Sequence, residues 1–172
     1  MTSRLLMSLT KTPYNKTAIL QANVRAKLLV GRYTLWEDLN KYRGTKELCP
    51  VCHLSPETIH HFIFVCEPLQ ETRDKYLPKL PQLVVDASSQ YNWMRISDEG
   101  NNSLMEQLLI EPDSPKLKLD SSVTNQIGAL SRRLLYALHS QRAANLNQQV
   151  TRKKSVVCEW PGYGMTPLNI MI

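Results

Sequence analysis

A chain of 172 residues has room for one domain with an attached tail, and 42% hydrophobic against 21% charged residues is enough apolar material for a core. No stretch approaches the roughly 18 apolar residues of a membrane span, and the opening MTSRLLMSLTKTPYNK has no signal-peptide core, so an intracellular setting, nucleus or cytoplasm, is expected. The net charge of +6 is unevenly spread: residues 1–46 hold nine Lys or Arg against two acids (+7), residues 47–120 six against twelve (−6), and residues 121–172 six against one (+5). Basic segments at both ends attract phosphate-rich partners if they meet in space, and are ordinary solvated helix faces if they do not.

In chain order, TAILQANVRAKLLV over residues 17–30 reads as a first helix, with Leu20, Val24 and Leu28 at four-residue spacing and Gly31 placed to end it. Thr34-Leu35-Trp36-Glu37 has the form of a capping box that opens a second helix, whose face of Leu35, Leu39 and Tyr42 runs to Gly44. These two helices make a basic hairpin that leads into the cysteines. Beyond the cysteines, Glu67 to Tyr76 reads as a short charged helix stopped by Pro78 and Pro81, and residues 78–102 read as irregular. Ser103-Leu104-Met105-Glu106 offers another capping box, with a helix through Ile110, and EPDSPKLKLDSS reads as a loop. A long helix is expected from about Ser122, with Val123, Ile127, Leu130, Leu134 and Leu138 as its core stripe and Arg132 and Arg133 off it. From Asn147 the period is lost, and a frayed or disordered tail is expected. The expected organisation is a basic hairpin and metal module over 1–80, a variable linker and helix over 81–146, and a tail over 147–172. The expected fold class is mainly α.

The informative segment is CPVCHLSPETIHHFIFVC, Cys49 to Cys66. Cys49 and Cys52 have the C-x2-C spacing that brings two thiolates to one ion on a tight turn; His61 follows, then Cys66. Three thiolates and one imidazole make a closed tetrahedral site for Zn2+ of the structural kind. Ser55-Pro56-Glu57 is expected to start a helix that carries His61 and ends near Cys66, with Ile59, Phe62 and Ile63 packed inward. A redox-active C-P-V-C pair is the competing reading, but it needs a strand before the motif and a helix directly after it, whereas a helical hairpin precedes. A disulfide or three inert buried thiols also remain open. Four protein ligands leave no position for a reacting water, and no Walker loop, nucleophile elbow, dinucleotide fingerprint or zinc-hydrolase motif is present. The sequence therefore points away from an enzyme and from a small-molecule substrate.

Leu48-Cys-Pro-Val-Cys52 followed by Glu57-Thr-Ile-His-His-Phe-Ile-Phe-Val-Cys66 resembles the zinc-binding domain found C-terminal to the reverse transcriptase of non-LTR retrotransposons. That family shows a C-P-x-C pair, a loop, E-T-x-x-H, four mostly apolar residues and a Cys followed by Pro. Here Glu67 stands between Cys66 and Pro68. The stretch from Arg25 to Leu39 is similar to the family's basic helix, glycine and second helix, and the likeness covers about residues 17–80. The resemblance implies that Cys49, Cys52, His61 and Cys66 are the zinc ligands. His60 then falls where many relatives carry an acid. It also implies a module that holds RNA or DNA, without polymerase or endonuclease activity of its own. Charge, rather than the family, nominates Arg25, Lys27, Arg32, Lys41 and Arg43 as nucleic-acid-binding residues. A zinc-stapled protein-interaction adaptor, with the acidic middle and the Leu stripe as its surface, is the alternative function, and an enzyme using the C-P-V-C thiols is a third.

Overall fold

The computed structural model describes residues 15–44, 48–87, 90–98 and 102–156, which are helical apart from their connections and contain no strand. Helix α1 spans Lys16–Leu29 and starts where the side chain of Asn15 accepts from the Thr17 amide at 3.0 Å. Gly31, at φ +64, turns the chain out of it. Helix α2, Trp36–Arg43, ends at Gly44 in the left-handed conformation. Its start differs from the expected capping box. The cap position is Leu35, whose side chain makes no capping bond, and the Trp36 amide donates instead to the distant Glu57 carboxylate at 2.8 Å.

The metal segment ends in a π turn, His61–Val65, followed by a 3-10 turn at Glu67–Leu69. Helix α3 covers Gln70–Asp74, and a second 3-10 turn covers Leu77–Lys79. The region read as irregular then forms two helices, α4 at Leu80–Ala87 and α5 at Gln90–Ser97. Pro81 does not prevent α4, because at the first turn its missing N–H would have had no intrahelical partner. Leu80 and Val84, four residues apart, are buried on the inner face of α4. Helix α6, Asn102–Ile110, matches the expected short helix, and the loop over 111–120 leads to α7, Ser121–Val156. Helix α7 continues past Asn147, where the apolar period fades; residues 157–172 lie outside the described residues.

The long helix α7 is the spine. Helix α1 lies along it, and α3, α4, α6 and the π turn also pack on it, while α5 bridges α4 and α6. Val123, Ile127, Leu134 and Leu138 of the expected stripe are buried; Leu130 is half-buried, and Ser131 and Leu135 widen the buried face. On α1, Val24 and Leu28 go inward, whereas Leu20 is 40% exposed. Phe62 and Ile63 bring the metal segment into the same core, each burial contributing roughly 1.5–3 kcal/mol before ordering costs. The last carbonyls of α6 have no partners within that helix. Ser131 of α7 donates to Leu109 O, and Arg25 Nε of α1 donates to Ile110 O at 2.9 Å. Gly128 lets that arginine approach, since a Cβ there would sit 3.1 Å from Arg25 Nη1.

Candidate metal centre

Cys49 and Cys52 stand on a tight loop closed at both levels of the backbone. Cys49 N donates to Ser55 O at 2.7 Å and His53 N to Cys49 O at 2.9 Å, with His53 at φ 58. The helical turn carrying His61 begins later than expected. Its first residue is Ile59, and Thr58, not Ser55, caps it: the His61 amide donates to Thr58 Oγ1 at 3.0 Å. In a regular α-helix His61 and Cys66 would point about 140° apart. The i→i+5 bond from Cys66 N to His61 O, 2.8 Å, widens the turn and brings both side chains to one side.

The ligand atoms of Cys49, Cys52, His61 and Cys66 all lie within 4.8 Å of one another. Cys49 Sγ is 4.0 Å from Cys66 Sγ, and Cys52 Sγ is 3.3 Å from His61 Nε2. A tetrahedral ion with metal–sulfur bonds of about 2.3 Å holds its sulfurs about 3.8 Å apart, so the donor set fits such an ion. The three cysteines are free thiols rather than disulfide partners; the fourth, Cys158, lies outside the described residues. The Cys66 hydrogen bond, with help from the Cys52 and Val51 amides, holds the Cys49 thiol low. The same bond, together with burial, pushes the Cys66 thiol up. Metal binding to such a set requires its thiols as thiolates, so it is accompanied by proton release.

The histidines separate cleanly. His61 is buried and turns Nε2 into the cluster, while its Nδ1 meets Ser55 Oγ at 2.8 Å. A hydroxyl, rather than the carbonyl or carboxylate common in such sites, therefore orients this ring. His60 points away, with Nδ1 3.2 Å from Glu106 Oε1, and His53 is exposed.

Two groups at the site escaped the sequence reading. Glu57, 1% exposed, accepts from Arg142 Nε at 2.6 Å and Nη2 at 2.7 Å as well as from Trp36 N, and its Oε1 lies 3.9 Å from Cys49 Sγ. Arg73, also 1% exposed, donates from Nη2 to Cys66 O at 2.6 Å and leaves Nη1 without a hydrogen-bond partner. An acid directly after Ser-Pro and an arginine at i+7 from Cys66 carry no signal of burial in the sequence. Arg142 is 85 residues from Glu57. Beside this clasp, Tyr33 stacks on Phe62 and its hydroxyl meets His139 Nδ1 at 2.9 Å. Burial pushes Tyr33 up to about 12, so the phenol keeps its proton.

The basic residues nominated by charge do not form one set. Arg25 is 8% exposed and held by Ile110 O and, at 3.5 Å, Gly128 O; burial pulls its pKa down to about 10. Its guanidinium is thus turned into the fold, between α6 and α7, rather than out to solvent. Lys27 and Arg32 are exposed near the end of α1. Lys41 is exposed and pairs within α2 with Glu37 at 3.5 Å and Asp38 at 3.9 Å. The side chain of Arg43 lies outside the described residues.

No protein-family model matches the chain, and no curated protein or solved structure shows significant similarity to it. No helix among the described residues is long and apolar enough to cross a membrane. The class of protein defined by fold and site is a helical domain with a Cys3His cluster able to hold a metal ion.

Proposed function

We propose that the ion is Zn2+ and that the chain is a non-catalytic module that binds RNA or DNA, of the kind that follows the reverse transcriptase in non-LTR retrotransposons. The observation that carries this reading is the closed cluster of Cys49, Cys52, His61 and Cys66, with one of the segment's three histidines turned inward. Sulfur-rich tetrahedral sites favour zinc, and four protein ligands leave it a structural part. Lys27 and Arg32, exposed at the same end of α1, are the phosphate contacts in this reading. Each phosphate neutralised adds about 0.9 to the steepness of log affinity against log salt on duplex DNA. Lys27→Ala with Arg32→Ala should flatten that slope by roughly two, measured by fluorescence anisotropy with a labelled duplex. An unchanged slope would remove these residues from the interface.

A zinc-stapled protein-interaction adaptor is the second reading. Leu48, Leu54 and Val65, near the cysteine ligands in sequence, are all exposed, Leu54 at 70%. Partner binding that is indifferent to salt and lost in Leu54→Ser would favour it.

A further inference from the structure

We propose that Glu57 and Arg142 couple metal binding at the cysteine cluster to the seating of α7, so that a residue far from every ligand in sequence sets the metal affinity. The inference rests on the metal reading above and goes beyond it. The Glu57 carboxylate touches three separate parts of the fold: the Cys49 sulfur, the first amide of α2 at Trp36, and the Nε–Nη2 edge of the Arg142 guanidinium on α7. Its side chain is 2% exposed and that of Arg142 13% exposed, so both charges are largely withdrawn from water.

Charge balance explains why this clasp matters for the ion. With all three cysteines as thiolates and a divalent ion between them, the ligand set carries one net negative charge. Glu57 adds a second beside it. Arg142 against Glu57 and Arg73 against the Cys66 carbonyl supply two buried positive charges, which closes the account at neutrality. Removing Arg142 leaves a buried, uncompensated carboxylate 3.9 Å from a ligand sulfur, beside a loaded ligand set that already carries net negative charge. Binding free energies are reciprocal: if seating α7 tightens the metal, the metal must tighten α7 by the same factor.

The experiment uses the full chain and Zn2+ in competition with a chromophoric chelator. Arg142→Met, which strands the Glu57 charge beside Cys49, should weaken Zn2+ binding by about 10–100-fold, the range for outer-shell partners of metal ligands. Arg133→Ala, exposed on the same helix, should leave it unchanged. The double variant Glu57→Gln with Arg142→Met removes both charges and should regain much of the lost affinity, which a purely structural loss would not. Hydrogen exchange on the wild-type chain supplies a readout that needs no variant. Chelating the metal should raise exchange at α7 amides around Leu138–Leu146 far more than around Val123–Ser131. If wild type takes no Zn2+, the metal reading fails. If wild type binds and Arg142→Met binds equally, if the double variant stays as weak as the single, or if the α7 amides ignore chelation, the coupling is overturned while the metal site stands.

Discussion

Arg25→Met isolates what a buried cation does in this fold. Methionine keeps the length and most of the apolar stem, so the packing of α1 on α7 is largely preserved. What goes is the Nε–H bond to Ile110 O at 2.9 Å; the 3.5 Å contact with Gly128 O is at the limit of a hydrogen bond and contributes little. Ile110 ends α6, so its part-buried carbonyl has no donor within the helix and would lose its charged partner. A bond from a charged donor is worth about 1.5–3 kcal/mol, and relief of the guanidinium's own desolvation, visible in its lowered pKa, offsets part of that. A net loss of about 1–2.5 kcal/mol is expected, read as a lower urea midpoint at constant m for the metal-loaded protein. The nucleic-acid salt slope should not change, because the side chain neutralises no phosphate. Unaltered stability together with a slope flatter by about one would refute the reasoning and return Arg25 to the binding face.

Among the histidines, His61→Ala should lower zinc affinity by orders of magnitude, while His60→Ala and His53→Ala leave metal content near wild type by elemental analysis; the opposite result for His60 and His61 would show the register to be wrong. His139 is held below its ordinary pKa by burial first, then by Arg142 and Lys27. Its stabilising contribution is therefore full above about 6.5, the unfolded value, and is lost as pH falls through the lower folded value. Wild type should lose stability with acid more steeply than His139→Gln over that window; metal release is common to both, and equal acid profiles would contradict the account. Homogeneous protein should extend no primer and cut no nucleic acid with magnesium, since two-metal chemistry needs clustered carboxylates with supporting motifs; template-dependent extension would count against a non-catalytic module.

The cluster of Cys49, Cys52, His61 and Cys66 and the helical class are legible because both rest on local pattern. C-x2-C spacing brings Cys49 and Cys52 together whatever surrounds them, and helical spacing marks Val24 and Leu28 on α1 and most of the α7 stripe as inward, although Leu20 is exposed. Where the reading went astray, long-range contacts decided. Thr34-Leu35-Trp36-Glu37 is a correct local signature, yet Glu57 reaches the Trp36 amide instead. The helix after Cys66 does end before Pro78, but residues 78–102 are not irregular, because a proline such as Pro81 is tolerated in a helix's first turn and the neighbouring residues alone do not reveal that placement. Arg25 looked like surface charge because the carbonyl that holds it is on another helix, 85 residues away. The π turn between His61 and Cys66 has no simple sequence signature, although the five-residue step itself is incompatible with both side chains facing one ion from a regular α-helix.

Zinc K-edge X-ray absorption on the reduced, metal-loaded chain tests the central claim most directly. A closed Cys49, Cys52, His61 and Cys66 site predicts three sulfurs at about 2.3 Å and one nitrogen at about 2.0–2.1 Å, with no oxygen neighbour. A first shell with fewer sulfurs and a water oxygen, or freshly prepared reduced protein that carries no zinc at all, would contradict it.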